Sequence, residues 1–479
     1  MNASRRSGLL TGFTLLGLVL PIFFARPAMA EHRTLYVDAA ATKNGDGSRH
    51  RPFWRITDAV ERARALRQED SRHEERIVIH VLPGIYAGTF DSTHLADNPK
   101  LEPLPIIVNV SGLRLEGETQ FDDDADGVPG GTSSPDSETV LTVTDDEHDI
   151  LSRGRSVLLI ATTADGMAGN HVSVSGFVVD GRSQDVPGAV GFDIFADRVS
   201  GLHVHHNLLR HAGGGVATRL ASGTVEANVC TANNNIGIFI TGGPRAHPPS
   251  MTLRRNRSTQ NAGGASVFAV ANFVTLDLGA NTLRLEPLQM IYDINNPEDQ
   301  PNIPDTFEAT IEGNDFSDNH LLIANGLRCA FYPPIHYSTM DATQPISGTL
   351  HMTVRDNRLN GNGDYGITVD AGFSNRSDPR SLTGIFEGTF EHNTLVDNGR
   401  NTSLLGFVNR DASTGLGSRQ DYKYMQDSTF QIADLDGELE GFDYDHPLTD
   451  PYDGSPVVGN VLIVNEQVEP NGIQITPRH

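Results

Sequence analysis

The side chains best suited to chemistry begin at residue 219. Arg219, Asp293, Asn325, Arg328, Asp370, Arg410 and Asp411 lie in or just after strand-like stretches such as GGGVATRLA, LQMIYDI, LLIANGLRC, YGITVDAG and LLGFVNRD. Beside a sugar chain, an Arg set among carboxylates can act as the base of a β-elimination or clamp a substrate carboxylate. Two carboxylates can instead serve as acid and base in hydrolysis. Arg328, Asp370 and Asp293 are the expected catalytic set, and Arg219, Asn325, Arg410 and Asp411 the expected substrate-binding set. The competing expectation is that all seven are ordinary loop-end residues.

Two further clusters have metal-ligand character. Asp122, Asp124, Asp126 and Gly127 match the first half of a D-x-D-x-D-G calcium loop, but the twelfth position is Ser133 rather than the bidentate Glu. Ca²⁺ is thus the one cofactor to consider, with an acidic loop holding no ion as the alternative. His203, His205, His206 and His211 crowd a short segment. In a strand, alternation puts His203 and His205 on one face with Val204 inward, so those two can share a metal.

The scaffold that must position these groups is repetitive. Asn207, Asn228, Asn256, Asn281, Asn314, Asn357 and Asn393 each follow an apolar residue by three positions: Val204, Val225, Leu253, Leu278, Ile311, Val354 and Phe390. In five copies a second Asn follows five residues later, at Asn233, Asn261, Asn319, Asn362 and Asn398. No amphipathic helical run separates the copies; period-2 alternation and Gly/Asn turns do, which reads as short strands stacked one coil per repeat. Asn suits such a turn because it tolerates a left-handed backbone and its amide can bond the identical amide one coil above. Thr224, Thr252, Thr310, Thr353 and Thr389 stand four positions before their Asn, predicting an outward Thr column. Glu226, Arg254, Glu312, Arg355 and Glu391 stand two before, predicting solvent-facing cross-coil pairs. Loop insertions in a solenoid project sideways, so the spacers near 241–250, 285–307, 330–348, 371–384 and 411–455 must build any groove.

The chain of 479 residues carries a net charge of −25. Residues 1–30 read as an export signal: Arg5 and Arg6, an apolar run from Leu9 to Ala25, then Ala28-Met29-Ala30 before Glu31. The run is short for a membrane span, so an exported chain without a span is expected, in the periplasm, at the cell surface or outside the cell. Removing this segment leaves about −28. Such a field disfavours nucleic acid and anionic lipid, and a polyanionic substrate would need a local Arg cluster or a bound cation. Cys230 and Cys329 are the two cysteines, and one disulfide or two buried thiols are both open.

Before the repeats comes YVDAAATKNGDGSRHRPFWRITDAVERA, and then IHVLPGIYAG: a strand, a Gly-Asp turn, an amphipathic helix at Ile56, Ala59, Val60 and Ala63, and a second strand. Such a unit can cover the open end of a solenoid. With the Asn-marked coils, this segment resembles the pectin-lyase-like superfamily of right-handed parallel β-helix proteins, over most of residues 34–400. The resemblance implies an all-β fold, a single-stranded right-handed parallel β-helix with an N-terminal capping helix. Residues 31–479 would form one domain, with 31–90 as cap and first coils, 105–410 as coils and 411–479 as loop-rich coils. It also implies a polysaccharide partner, bound or degraded by a lyase- or hydrolase-like groove. The superfamily includes non-enzymatic surface proteins as well, and no Asn-Thr-Asp, Gly-His-Gly or Arg-Ile-Lys set marks a polygalacturonase here. A non-catalytic envelope protein binding glycan or protein is therefore the alternative.

Overall fold

The computed structural model describes residues 32–69, 76–119, 121–123, 129–133, 138–144, 156–162, 169–182, 191–219, 221–241, 250–268, 275–277, 282–286, 306–320, 325–331, 346–363, 366–371, 382–395, 405–408, 429–433, 437–439 and 460–463. The signal-like residues 1–30 lie outside this set.

Three parallel sheets run along the chain: one of twelve strands, one of seven and one of nine, called here sheets I, II and III. The coil order is clearest between residues 202 and 268. Leu202–His205, Leu208–Arg210 and Gly214–Arg219 contribute one strand each to sheets I, II and III, and Gly223–Glu226, Val229–Thr231 and Ile236–Thr241 repeat the order one coil on. The chain is a parallel β-helix, as the repeat predicts. Inward residues such as Val204, Val225, Leu253, Ile311 and Val354 are buried in one continuous apolar cluster. Each contributes roughly 1.5–3 kcal/mol, which no isolated coil could collect.

The corner between sheets I and II is held by an Asn ladder. The Nδ2 groups of Asn207, Asn228, Asn256, Asn314 and Asn357 donate to the Oδ1 of the next Asn at 2.9–3.1 Å, ending on Asn393. A second ladder, Asn233, Asn261, Asn319 and Asn362, holds the corner between sheets II and III. The left-handed residue is not the Asn, however, but its predecessor: His206, Ala227, Arg255, Asp356 and His392 have φ of 50–56°. Non-Gly residues adopt this conformation at some cost, which the buried Asn bonds offset.

Asn281 lies outside the described residues, and the ladder runs from Asn256 to Asn314 without it. Ser250–Arg254 pairs directly with Thr306–Glu312, and Asn256 bonds Asn314. The strands flanking Asn281, Thr275–Asp277 and Thr282–Glu286, pair with each other antiparallel. The local pattern matched, but an antiparallel hairpin cannot continue a parallel coil.

The outward Thr column is in register as expected, from His203 through Thr224, Thr252, Thr310, Thr353 and Thr389. The charges are in register too, Arg254 meeting Glu226 at 2.6 Å and Arg355 meeting Glu312 at 3.0 Å, but Glu226 is buried rather than solvent-facing. The helix Ile56–Glu69 buries Ile56, Ala59, Val60, Ala63 and Leu66 against the first strands. Its first turn is bonded by the buried carboxylate of Glu102, which accepts from Ile56 N, from Thr57 N at 3.1 Å and from Thr57 Oγ1 at 2.8 Å. Both cysteines are buried and neither is in a disulfide, Cys230 in sheet II and Cys329 in sheet III, so the thiol alternative holds.

Candidate functional site

The strands that follow the second Asn ladder form sheet III, so the expected wall of chemistry is the outer face of that sheet. Its strands begin close to the ladder, and glycine permits this. A Cβ at Gly237 would lie 1.9 Å from Ser258 Oγ, and one at Gly326 2.7 Å from Asn362 Nδ2. From there, register alone fixes two columns. The first reads Leu159, Phe195, Ala217, Phe239, Ser266, Arg328 and Thr368. The second reads Ala161, Asp197, Arg219, Thr241, Phe268, Ala330 and Asp370.

The early coils of this face carry an apolar strip. Phe192 stacks on Phe195 and on Phe239, with ring centroids 6.0 and 6.2 Å apart. Leu159, Ala161, Phe195 and Ala217 are buried, while Ile107, Phe192 and Phe239 are half-buried against them. Beside this strip Arg219 holds Asp197 through two bonds, Nε to Oδ1 at 2.5 Å and Nη2 to Oδ2 at 2.7 Å. Both side chains are only 1% exposed. Arg198 Nε reaches the same Asp197 carboxylate at 3.1 Å from the solvent side. Arg219 is therefore placed on the expected wall but is bound to an acid inside it, not presented at a loop end.

Arg328 is half-buried and lies one coil beyond Ser266. Asp370 registers with Ala330, two positions along from Arg328 on the neighbouring strand. The two positions are diagonal and of the same parity, a relation that long side chains can span. Asn325 is buried at the turn into the Arg328 strand, where its main-chain carbonyl accepts from Gly264 N at 2.9 Å. Asp293, Arg410 and Asp411 lie outside the described residues. The aromatic strip and Asp197 are the parts of this face that the repeat pattern misses. Phe195 and Phe239 read as core residues in isolation, and only register shows them outward. Asp197 precedes the first marker Asn.

The metal candidates separate. Asp122 lies in the strand Phe121–Asp123, which pairs antiparallel with Pro129–Ser133; Asp124 and Asp126 are outside the described residues. Among the described residues no three His, Cys, Asp or Glu side chains converge to hold a metal ion. His203 and His205 do share the outer face of sheet I, with Val204 buried. Their rings are stacked, centroids 4.0 Å apart, rather than turned nitrogen to nitrogen.

No protein-family model matches the chain, and no curated protein sequence matches it. Solved structures are similar at a distance. ORF18 of Geobacillus virus E2 aligns at 11% identity and a TM-score of 0.34 over 79% of this chain, which spans 60% of that one. The A-module of the Azotobacter vinelandii mannuronan C-5 epimerase AlgE6 aligns at 12% identity and a TM-score of 0.34, covering 86% of this chain and 95% of the epimerase module. DFA-IIIase from Arthrobacter chlorophenolicus A6, solved with GF2, aligns at 13% and 0.28, covering 80% and 89%. The fold assignment rests on the chain's own sheets and ladders. Among the described residues no helix is long and apolar enough to cross a membrane.

Proposed function

We propose that the chain is an exported β-helix protein that binds or degrades a polysaccharide along the outer face of sheet III. The observation that carries this reading is the stacked Phe192, Phe195 and Phe239 strip, continued along the same columns by Ser266, Arg328 and the Asp370 position. Aromatic rings give a sugar an apolar platform, and a few convergent polar groups beside it supply orientation. A linear polymer laid along the solenoid axis meets both in turn. In the degrading form, Arg328 and Asp370, with Asp293, supply the base and acid of an elimination or a hydrolysis. Arg410 and Asp411 join them as substrate contacts, and Ca²⁺ at Asp122, Asp124 and Asp126 is part of the same proposal. A non-catalytic glycan binder is the second reading. The Arg219–Asp197 pair favours it, because an arginine fixed at 1% exposure braces the wall rather than reaching a substrate.

The test is a panel of uronate and neutral polysaccharides, with and without Ca²⁺, followed for unsaturated products, for reducing ends and for binding by calorimetry. Turnover lost in Arg328→Ala or Asp370→Ala is the enzymatic result. Binding without turnover, weakened about tenfold or more in Phe239→Ala, is the binder result. Background in all three readouts across the panel overturns the proposal.

A further inference from the structure

Among the described residues, three imidazoles lie against one another on sheet I. His205 packs against His203 on one side and edge-on against His206 on the other, centroids 5.2 Å apart. His206 follows His205 directly and would ordinarily point to the opposite face. Its φ of 53°, the left-handed step that every coil takes before its Asn, brings it back. The result is a pair of nitrogens facing each other, His205 Nδ1 and His206 Nδ1, 3.0 Å apart.

We propose that these two nitrogens form a surface chelate for a cupric ion. Two imidazole nitrogens each about 2.0–2.1 Å from a metal and at right angles around it are separated by roughly 2.9 Å, the spacing of cis ligands in the tetragonal geometry that Cu(II) prefers. Both rings can bind in neutral form without losing a proton to solvent. His205 Nε2 lies 3.1 Å from Ser173 Oγ, a contact that fixes the ring and, in the tautomer protonated at Nε2, leaves Nδ1 with its lone pair. The exposed His206 can carry its proton on Nε2 likewise. His203 is turned elsewhere, with Nε2 3.5 Å from Glu226, whose carboxylate is already taken by Arg254 and Arg255. Water would complete the coordination. The proposal is independent of the polysaccharide reading and concerns a different sheet.

The full-length protein should be titrated with Cu(II) at pH 7.5 in a non-coordinating buffer, with electron paramagnetic resonance and calorimetry as readouts. The expected result is an axial Cu(II) signal with coupling to two nitrogens. It should weaken tenfold or more in His206→Gly, a substitution that suits the left-handed backbone and removes only the ring. Ser173→Ala should weaken it a few-fold with the nitrogen count unchanged, and His203→Ala should leave it within about twofold. A wild-type protein with no such signal, or a folded His206→Gly protein with the same signal and affinity, overturns the proposal.

Discussion

Asn256 donates its side-chain amide to Asn314 across 58 residues of chain, Nδ2 to Oδ1 at 3.0 Å, and the ladder passes over Asn281 altogether. Its Oδ1 in turn accepts both the main-chain N–H and the Nδ2 of Asn228, each at 3.1 Å, and its own Nδ2 also reaches Val225 O at 2.8 Å. Replacement by Ala leaves several buried partners unsatisfied. Asn256→Ala is expected to cost about 3–4 kcal/mol in urea unfolding. Asn281→Ala, one identical residue type in an identical local motif, should stay within about 0.5 kcal/mol. Equal losses at the two positions would show that the coil order is wrong.

Glu102 gives the chain a pH dependence of known sign. Burial raises its carboxyl from the ordinary 4.5 to about 7, against the opposing effect of its bonds to Thr57 and Ile56. The folded state therefore holds this proton where the unfolded state has released it. The resulting stability is fully present below about pH 4.5 and is lost as pH rises through 7, a swing of about 3 kcal/mol. Thermal melts of Glu102→Gln between pH 4.5 and 7.5 should show a flatter profile than wild type. A profile superimposable on wild type would place the titration elsewhere.

The Arg219–Asp197 pair makes a third prediction. Arg219→Ala leaves the buried carboxylate to Arg198 alone and should destabilise by about 3 kcal/mol, whereas the double change Asp197→Leu with Arg219→Met should recover most of that loss. If Arg219 instead contacts substrate, the single variant would keep its stability and lose affinity for polysaccharide alone. Chemical unfolding and calorimetry on the same preparations separate these outcomes.

Repetition made the scaffold legible. Thr224 to Thr389 and the Glu226–Arg254 and Glu312–Arg355 pairs could be placed from the sequence, because stacking converts a fixed offset from an Asn into a shared column. Other features depend on long-range register. Nothing local distinguishes Asn281 from Asn256, and only the antiparallel partner strands do so. Nor does the pattern mark Phe195 and Phe239 as outward, since aromatic residues in a strand ordinarily read as core. Asp197 escaped because the ladder begins on Phe177, whose main-chain N–H donates to Asn207 Oδ1 at 3.1 Å, so the coil before Asn207 carries no Asn of its own. Simple alternation would send His206 to the face opposite His205, and the left-handed step before each Asn reverses that.

That ladder also has a direction. Each Asn offers its main-chain N–H and its Nδ2 toward the coil that comes later in the chain, and a single Oδ1 arriving there satisfies both, as Asn314 does for Asn256. A solenoid ended at such a coil thus leaves the main-chain N–H and Nδ2 of its last Asn as a pair of donors waiting for the next Oδ1. Assembly can follow the order of synthesis, with every finished coil acting as the template for the one still emerging. Ribosome-bound chains stopped shortly after Asn256 should already protect the coil of Asn228 from protease, well before the C-terminal strands exist.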